Sequence, residues 1–301
     1  GSKHFYGRTT EGETVSLANH RGIVDYTPTE LVISARAGTP VNAILIEDGK
    51  AVGVRTTSGE ELQAPVIVSA AGAGETVKRL LPEEIGAQGW AREISTFKPS
   101  VCHFEVYFGF EGDIARHGAT RSNHWFHESW DTDDAIWAVA SPLPMAFVSF
   151  PSLKDPTHDP GPSNKHTGQM MVLADWSAVA GFADGGADER PAEWAAFKQD
   201  VEAKLMAFFT KKFPALVPMI VYQELGTPLA TALFTGHEKG GFYGLEPTPR
   251  RVLSEAHKAR TPVPGLFLTG QDVMTPGIAG ALYGGMLGAA AVDPRVFQRF
   301  K

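Results

Sequence analysis

The stretch PGLFLTGQDVMTPGIAGALYGGMLGAAAV, residues 264–292, carries the strongest chemical signal in this sequence. Its first residues form a short apolar run that reads as a buried strand ending at Gly270. Asp272 follows at the point where an open α/β sheet presents its ligand crevice. Pro276-Gly277 then opens a helix. Its leading amides have no partners within the helix and carry partial positive charge, which suits a phosphate or an electron-rich ring. Gly277, Gly280, Gly284, Gly285 and Gly288 strip side chains from one side of that helix. A glycine costs a helix about 1 kcal/mol relative to alanine. So many of them require a close neighbour, either another backbone or a flat ligand.

Other candidates are weaker. His124-Trp-Phe-His127-Glu128 has metal-ligating residue types, but on a strand the two histidines face opposite sides, so no metal is assigned. His103, Glu105 and Tyr107 alternate with Val101, Phe104 and Val106, which puts them on one sheet face, lining a cleft or meeting solvent. Cys102 points the other way and reads as a core thiol. Phe242-Tyr243-Gly244 follows Gly240-Gly241. Glycines let a backbone approach a ligand and the two aromatics can flank a flat or polyene chain, so this is the candidate substrate wall, against a plain aromatic-anchored turn. Lys211 and Lys212 in FFTKKF suit a helix C-terminus, with a membrane-surface contact as the second reading. No acid/base pair stands out, and no catalytic residue is assigned.

The elements that must position these residues follow from pattern. Four runs, VCHFEVYFGF, HWFHESW, MAFVSFPS and QMMVLADW, read as the longer strands of an antiparallel sheet, separated by loops rich in Pro, Gly and Asp. Trp194, Phe197, Val201, Leu205 and Phe208 recur at spacings of three and four and predict a helix between Pro191 and Pro214. Before them, NAILIEDGKAVGVRTTSGEELQAPVIVSAAG holds three short strands with turns at Asp48-Gly49 and Ser58-Gly59. Val66–Ala70 there is apolar enough to be buried on both faces. ETVKRLLP is a short helix, and residues 221–244 read as extended. The order is α/β, then mostly antiparallel sheet with a helix, then α/β again. That predicts one domain inserted between two halves of another, divided as 1–40, 41–98, 99–225 and 226–301.

Composition narrows the function. The chain has 301 residues, a formal charge of −7 and a single cysteine. The charge disfavours nucleic acid as a partner. Without a second cysteine no internal disulfide forms, which fits a reducing, cytoplasmic setting, with peripheral membrane contact as the variant. Residues 278–292 are too short and glycine-rich to span a bilayer, which takes about 20 apolar residues. Gly1-Ser2-Lys3-His4 shows neither a methionine nor a secretory signal, so the start reads as that of a fragment or a processed form.

From about Pro40 to the end the chain resembles the phytoene desaturase and retinol saturase group of FAD-dependent oxidoreductases, more particularly the retinol saturases. The resembling segments, in order, are GKAVGV, VIVSAAG followed by LLP, FPSLKDPT, FKQDVEAKLMAFFTKKFP, GGFYGLEPT and PGLFLTGQDVMTPGIAGAL. The resemblance implies FAD held by a glutathione-reductase-type fold and an inserted α+β antiparallel-sheet substrate domain. It implies that Gly270, Gln271, Asp272 and Val273 meet the ribityl-pyrophosphate, that Gly277, Ala279, Gly280 and Ala281 lie beside the isoalloxazine ring, and that Val41 pairs its backbone with adenine. It places Ala70, Ala71 and Gly72 over the dinucleotide and Phe242, Tyr243 and Gly244 at the substrate channel. The implied activity is hydride transfer between flavin and a carbon–carbon bond of an apolar isoprenoid, carotenoid or retinoid-like substrate, with the electron partner unassigned.

One departure weakens this expectation. Such flavoproteins open with a strand, G-x-G-x-x-G and a helix, which these residues do not show. AAGAGETVKRL supplies Gly72-x-Gly74, but Val77 stands where the third glycine belongs. GSKHFYGR and HRGIVDYTPTELVISARAGTPV instead resemble the FAD-binding subunit of glycolate oxidase, whose phosphate loop is represented only by Gly1-Ser2. At about 1.5–3 kcal/mol per charged hydrogen bond, losing several amide contacts predicts weak or no flavin retention, and with it an inactive chain. The alternatives are a non-catalytic remnant or binding module and a flavin amine oxidase relative, which FPSLKDPT disfavours.

Overall fold

The structure is a computed structural model that describes residues 40–128, 143–184 and 190–300, with the backbone of four short strands before residue 40. Of those four, β1 (Tyr6–Arg8) pairs antiparallel with β2 (Thr14–Ser16), and β3 (Gly22–Ile23) with β4 (Ile33–Ser34). Ile33–Ser34 of β4 lies within TELVISARAGTPV, and apart from these four strands the residues before Pro40 lie outside the described residues.

Strands β5 (Val41–Glu47), β6 (Lys50–Thr56) and β7 (Glu61–Gln63) form an antiparallel sheet in that order. Asp48 and Gly49 both take positive φ, 48° and 74°. That is the mirror-image turn whose twist matches its flanking strands, and an Asp-Gly pair adopts it at low cost. Strand β8 (Ile67–Ser69) follows, so this stretch holds four strands where three were expected. Val68 is 47% exposed, which corrects the reading of Val66–Ala70 as buried on both faces: only Ile67 and Ser69 turn inward. Gly72, at φ 97°, starts the helix Ala73–Glu75, which continues as a π-helical turn over Thr76–Leu80.

Residues 99–243 form one compact unit. Its sheet comprises β9 (Cys102–Glu111), β10 (His124–His127), β11 (Met145–Ser149), β12 (Lys165–Ala174) and β13 (Ile220–Gly226), in the order β10-β11-β12-β9-β13, all antiparallel. Phe104, Val106, Phe108 and Phe110 alternate along one face of β9 and bury themselves against Val201, Leu205, Phe208 and Phe209 of the helix Glu193–Lys212. Phe208 and Phe209 are both buried although adjacent, because the helix sits deep in the aromatic cluster. FPSLKDPT serves this core: Phe150 is fully buried, and Pro151 begins the short helix Pro151–Lys154.

Two expectations for this unit need correction. Residues 221–244 are not extended throughout, because β13 gives way to a helix, Pro228–Thr235. Thr227 caps it by accepting from the Ala230 N–H at 3.2 Å, Pro228 opens it and Gly236 ends it at φ 73°. These are ordinary start and stop signals that the aromatic content of the stretch obscured. The unit also extends to Tyr243 where the sequence drew a boundary at 225. Gly240 packs on the Pro228 carbonyl, and Phe242 donates its N–H to the Val101 carbonyl at 3.3 Å, which ties residues 226–243 to the sheet.

The other compact unit is built from residues 1–98 and 244–301. Its two segments are joined by parallel pairing of β14 (Leu266–Leu268) with β8, in the register Leu266↔Ile67, Phe267↔Val68 and Leu268↔Ser69. Ile44, Ile67, Val77, Ile94, Leu245, Val263, Leu266 and Leu268 form its core. The glycine helix, Gly277–Val292, follows β14.

Phe110 has no exposed surface and packs on Phe108, Phe150 and Phe209. Phe110→Ala is expected to cost about 3–5 kcal/mol, measured by urea unfolding. A loss below about 1 kcal/mol would contradict this account of the core.

Candidate functional site

Because β8 and β14 run parallel, both deliver their C-terminal ends to one place. Ala70–Gly72 leaves the first and Gly270–Asp272 leaves the second, the position at which open α/β sheets present a crevice. Asp272 sits at its base and is 2% exposed. Its Oδ2 accepts the Ala73 N–H at 2.7 Å and its Oδ1 accepts the Leu245 N–H at 2.8 Å. One carboxylate therefore joins three chain segments. Gly72 and Gly244 make room for it: a Cβ on Gly72 would lie 3.3 Å from Oδ2, and one on Gly244 would lie 2.1 Å from Oδ1. Gly244, at φ 65°, thus belongs to the seat of Asp272.

Arg251 lies behind the acid and is equally buried. Its guanidinium donates to the carbonyls of Leu245 at 2.6 Å, Gln271 at 3.1 Å and Asp272 at 3.0 Å, and stands 3.9 Å from the Asp272 carboxylate. Burial pulls its pKa down and Asp272 opposes that shift. Sequence reasoning missed Arg251. The capping Thr248 and Pro249 of the helix Pro249–Leu253 were legible signals for the local turn, but the carbonyls that Arg251 serves come from distant residues.

The glycine helix answers the question its composition raised. A Cβ on Gly280 would lie 1.6 Å from the Thr275 carbonyl oxygen, on Gly284 1.9 Å from that of Gly270, and on Gly288 2.7 Å from Thr269 Oγ1. For these three the close neighbour is the protein's own chain. Gly285 has open space around it, and Gly277 takes φ 91° at the helix start. The Gly277 N–H is accepted by Gln271 Oε1 at 3.2 Å, so the first helical amide is served from within the same turn.

The sequence-predicted cofactor residues therefore divide. Asp272, Val273 and Gly280 are buried and turned into the protein, while Val41, Ala70, Ala71, Ala279 and Ala281 are exposed. Gly72, Gly270, Gln271 and Gly277 are intermediate. Gly270, at φ 87°, has nothing within 4 Å of where a Cβ would stand. The strand ends thus carry an open rim of glycine and alanine above a fixed base, and a flat, phosphate-bearing cofactor such as FAD fits it.

The other unit holds Phe242 and Tyr243. Their rings lie 4.0 Å apart, Phe242 meets the His103 ring at 4.6 Å, and the Tyr243 N–H is held by Ser100 Oγ at 2.8 Å. His103, Glu105 and Tyr107 share the sheet face opposite the phenylalanine core. Glu105 is buried there while Tyr107 on the same face is exposed, so the face is neither wholly covered nor wholly open to solvent. His103 Nε2 approaches Glu105 at 3.5 Å, and burial, reinforced by Glu105, raises the Tyr107 pKa. Partner residues run across the strands as Trp125, Phe147, Met171, Glu105 and Gly226, an apolar row that ends at a carboxylate.

The remaining candidates resolve simply. The Cys102 thiol is buried, donates to the Ala174 carbonyl at 3.1 Å and has its pKa pushed up to about 12 by burial. His124 packs on Phe126, Phe150 and Phe213, whereas His127 is exposed. Among the described residues no three metal-ligating side chains come together. Lys211 and Lys212 both pair with Glu128, whose pKa their hydrogen bonds lower to about 2. No helix among the described residues is long and apolar enough to cross a membrane.

No family model matches the chain. It is similar to all-trans-retinol 13,14-reductase of Rattus norvegicus, with 27% identity over 271 residues covering 85% of this chain and 44% of that protein. It is also similar to the neurosporene-forming phytoene desaturase of Rhodobacter capsulatus, with 29% identity covering 78% of this chain and 44% of that one. Among solved structures, cyclohexylamine oxidase from Brevibacterium oxydans superposes with a TM-score of 0.53 at 16% identity, over 87% of this chain and 49% of that one. The chain spans less than half the length of these curated relatives. The resemblance to the phytoene desaturase and retinol saturase group holds, and the fold is one of mixed α/β content with antiparallel sheets.

Gly284→Ala drives a methyl group into the Gly270 carbonyl and is expected to destabilise by roughly 1–3 kcal/mol. Gly285→Ala meets open space and is expected to stabilise by up to about 1 kcal/mol. Equal effects of the two on urea midpoints would refute the packing described for the helix.

His257 is buried, its Nδ1 has no hydrogen-bond partner, and burial, then Arg251 and Lys258, lower its pKa. The unfolded chain therefore takes up this proton first. Stability is fully present above about pH 6.5 and is lost as pH falls through that value toward the folded one. His257→Phe is expected to flatten the melting temperature between about pH 5 and 7; an unchanged slope would contradict it.

Proposed function

We propose that this chain is an FAD-dependent oxidoreductase of the saturase/desaturase type, acting on carbon–carbon bonds of an apolar isoprenoid, carotenoid or retinoid-like molecule. In this reading the residues 1–98 and 244–301 are a glutathione-reductase-type cofactor unit and residues 99–243 a substrate unit. The observation that carries it is the convergence of Ala70–Gly72 and Gly270–Asp272 at the ends of two parallel strands, fixed by Asp272. The similarity to a retinol 13,14-reductase and a phytoene desaturase supports the substrate class. The solved amine oxidase shares the fold and says nothing of substrate.

Bound FAD would supply two-electron transfer to or from the substrate. The protein's part is to bind and orient. Ala70, Ala71 and Gly270 offer backbone without side-chain obstruction, and Ala279 and Ala281 keep the helix start clear for a ring. Val41, at the exposed start of β5, is the proposed adenine contact. Asp272, Val273 and Gly280 contribute by fixing the backbone. On the substrate unit, Phe242 and Tyr243 with the row from Trp125 to Met171 offer an apolar wall, and Glu105 with Tyr107 its polar end.

The test is titration of the purified chain with FAD, followed by quenching of flavin fluorescence. Saturable quenching is expected. Ala279→Trp, at an exposed position, is expected to raise Kd at least about tenfold with an unchanged unfolding midpoint. No quenching at any FAD concentration would refute the reading.

A further inference from the structure

The helix Pro249–Leu253 inverts the usual order of burial. Arg251 is its buried residue, at 2% exposure, while its neighbours Val252 and Leu253 are 67% and 81% exposed. A helix that turns a guanidinium inward and two aliphatic side chains outward is not built for core packing. Burying a charge is costly unless hydrogen bonds hold it. The local sequence sets the arginine in place: Thr248 accepts the Arg251 N–H at 3.2 Å, and Pro249 opens the turn.

What the guanidinium holds is the crevice turn. It donates to the carbonyls of Gln271 at 3.1 Å and Asp272 at 3.0 Å, and is anchored on that of Leu245 at 2.6 Å. A peptide unit is planar and trans, so its N–H points opposite to its C=O. Drawing the Gln271 carbonyl inward therefore turns the Asp272 N–H away from Arg251. The Val273 N–H closes back on the Gly270 carbonyl at 3.2 Å and the Met274 N–H on that of Gln271 at 3.3 Å. The Asp272 N–H has no acceptor among the described residues. A main-chain amide left over in such a turn is one that an anionic oxygen satisfies. We infer that Arg251 is a positioning residue for the cofactor's phosphates. It acts through the backbone: by holding two carbonyls, it aims the amide between them at the pyrophosphate. This rests on the proposed flavin reading.

The experiment compares wild type with Arg251→Lys, Arg251→Met and Val263→Ala. Lys keeps the charge but cannot fork to three carbonyls, and Met keeps an unbranched stem with no donor. Val263→Ala opens a small cavity in the core of the same unit, outside the turn, and so reports general destabilisation. FAD and riboflavin, which lacks phosphate, are titrated by flavin fluorescence, and amide exchange is followed without ligand. Both Arg251 variants are expected to raise the Kd for FAD about tenfold or more and that for riboflavin about twofold or less, with Met the stronger. Both are expected to speed exchange at the Val273 and Met274 amides. Val263→Ala is expected to lower the unfolding midpoint and leave the ratio of the two Kd values as in wild type. Equal weakening of FAD and riboflavin by Arg251→Lys, or of FAD by Arg251→Lys and Val263→Ala, would overturn the proposal, because the residue would then serve stability alone. If wild type binds no FAD, the flavin reading fails by itself. Exchange at Val273 and Met274 then tests the turn alone, and unchanged exchange in both Arg251 variants would overturn Arg251 as its positioning residue.

Discussion

A single buried carboxylate accepting two backbone amides from different parts of the chain is the constraint on which the unit of residues 1–98 and 244–301 depends. The unit is assembled from two segments separated by residues 99–243, and local propensity cannot bring such segments together. Parallel pairing of three residues in each of β8 and β14 is a short seam. Asp272 adds charge-assisted hydrogen bonds at the end of that seam, where each is worth more than a neutral one. The positive φ of Gly72 and Gly244 and the burial of Arg251 follow from making room for that acid and balancing it.

The unit of residues 99–243 follows a different logic. Its alternating strand β9 sends phenylalanines to one face, where the helix Glu193–Lys212 covers them, and sends His103, Glu105 and Tyr107 to the other. A sheet with one face packed can carry a selective surface on the second without loss of core. On this second face Glu105 is buried beside its strand partner Met171, with His103 Nε2 3.5 Å from its carboxylate, whereas Tyr107 is exposed.

Much of this was legible in sequence, for identifiable reasons. The Asp48-Gly49 turn, the strand around 102–111 and the helix after Pro191 depend on local chemistry and simple periods and stand where those signals put them. The strand expected at QMMVLADW instead starts earlier, at Lys165, and ends at Ala174. The glycine helix was legible as needing a close neighbour, but which neighbour depends on how it packs against Thr269, Gly270 and Thr275. Asp272 was legible as important and illegible in direction, since its partners lie 199 and 27 residues away. Arg251 was invisible for the same reason. The helix Pro228–Thr235 was missed because aromatic and β-branched content outweighed a Thr-Pro start and a Gly stop.

The central claim is that the ends of β8 and β14, with the start of the glycine helix, form the seat of FAD. Hydrogen–deuterium exchange of the whole chain with and without FAD tests it most directly. The account predicts slowed exchange confined mainly to residues 70–73 and 270–281. Slowed exchange elsewhere with those two stretches unchanged would contradict it.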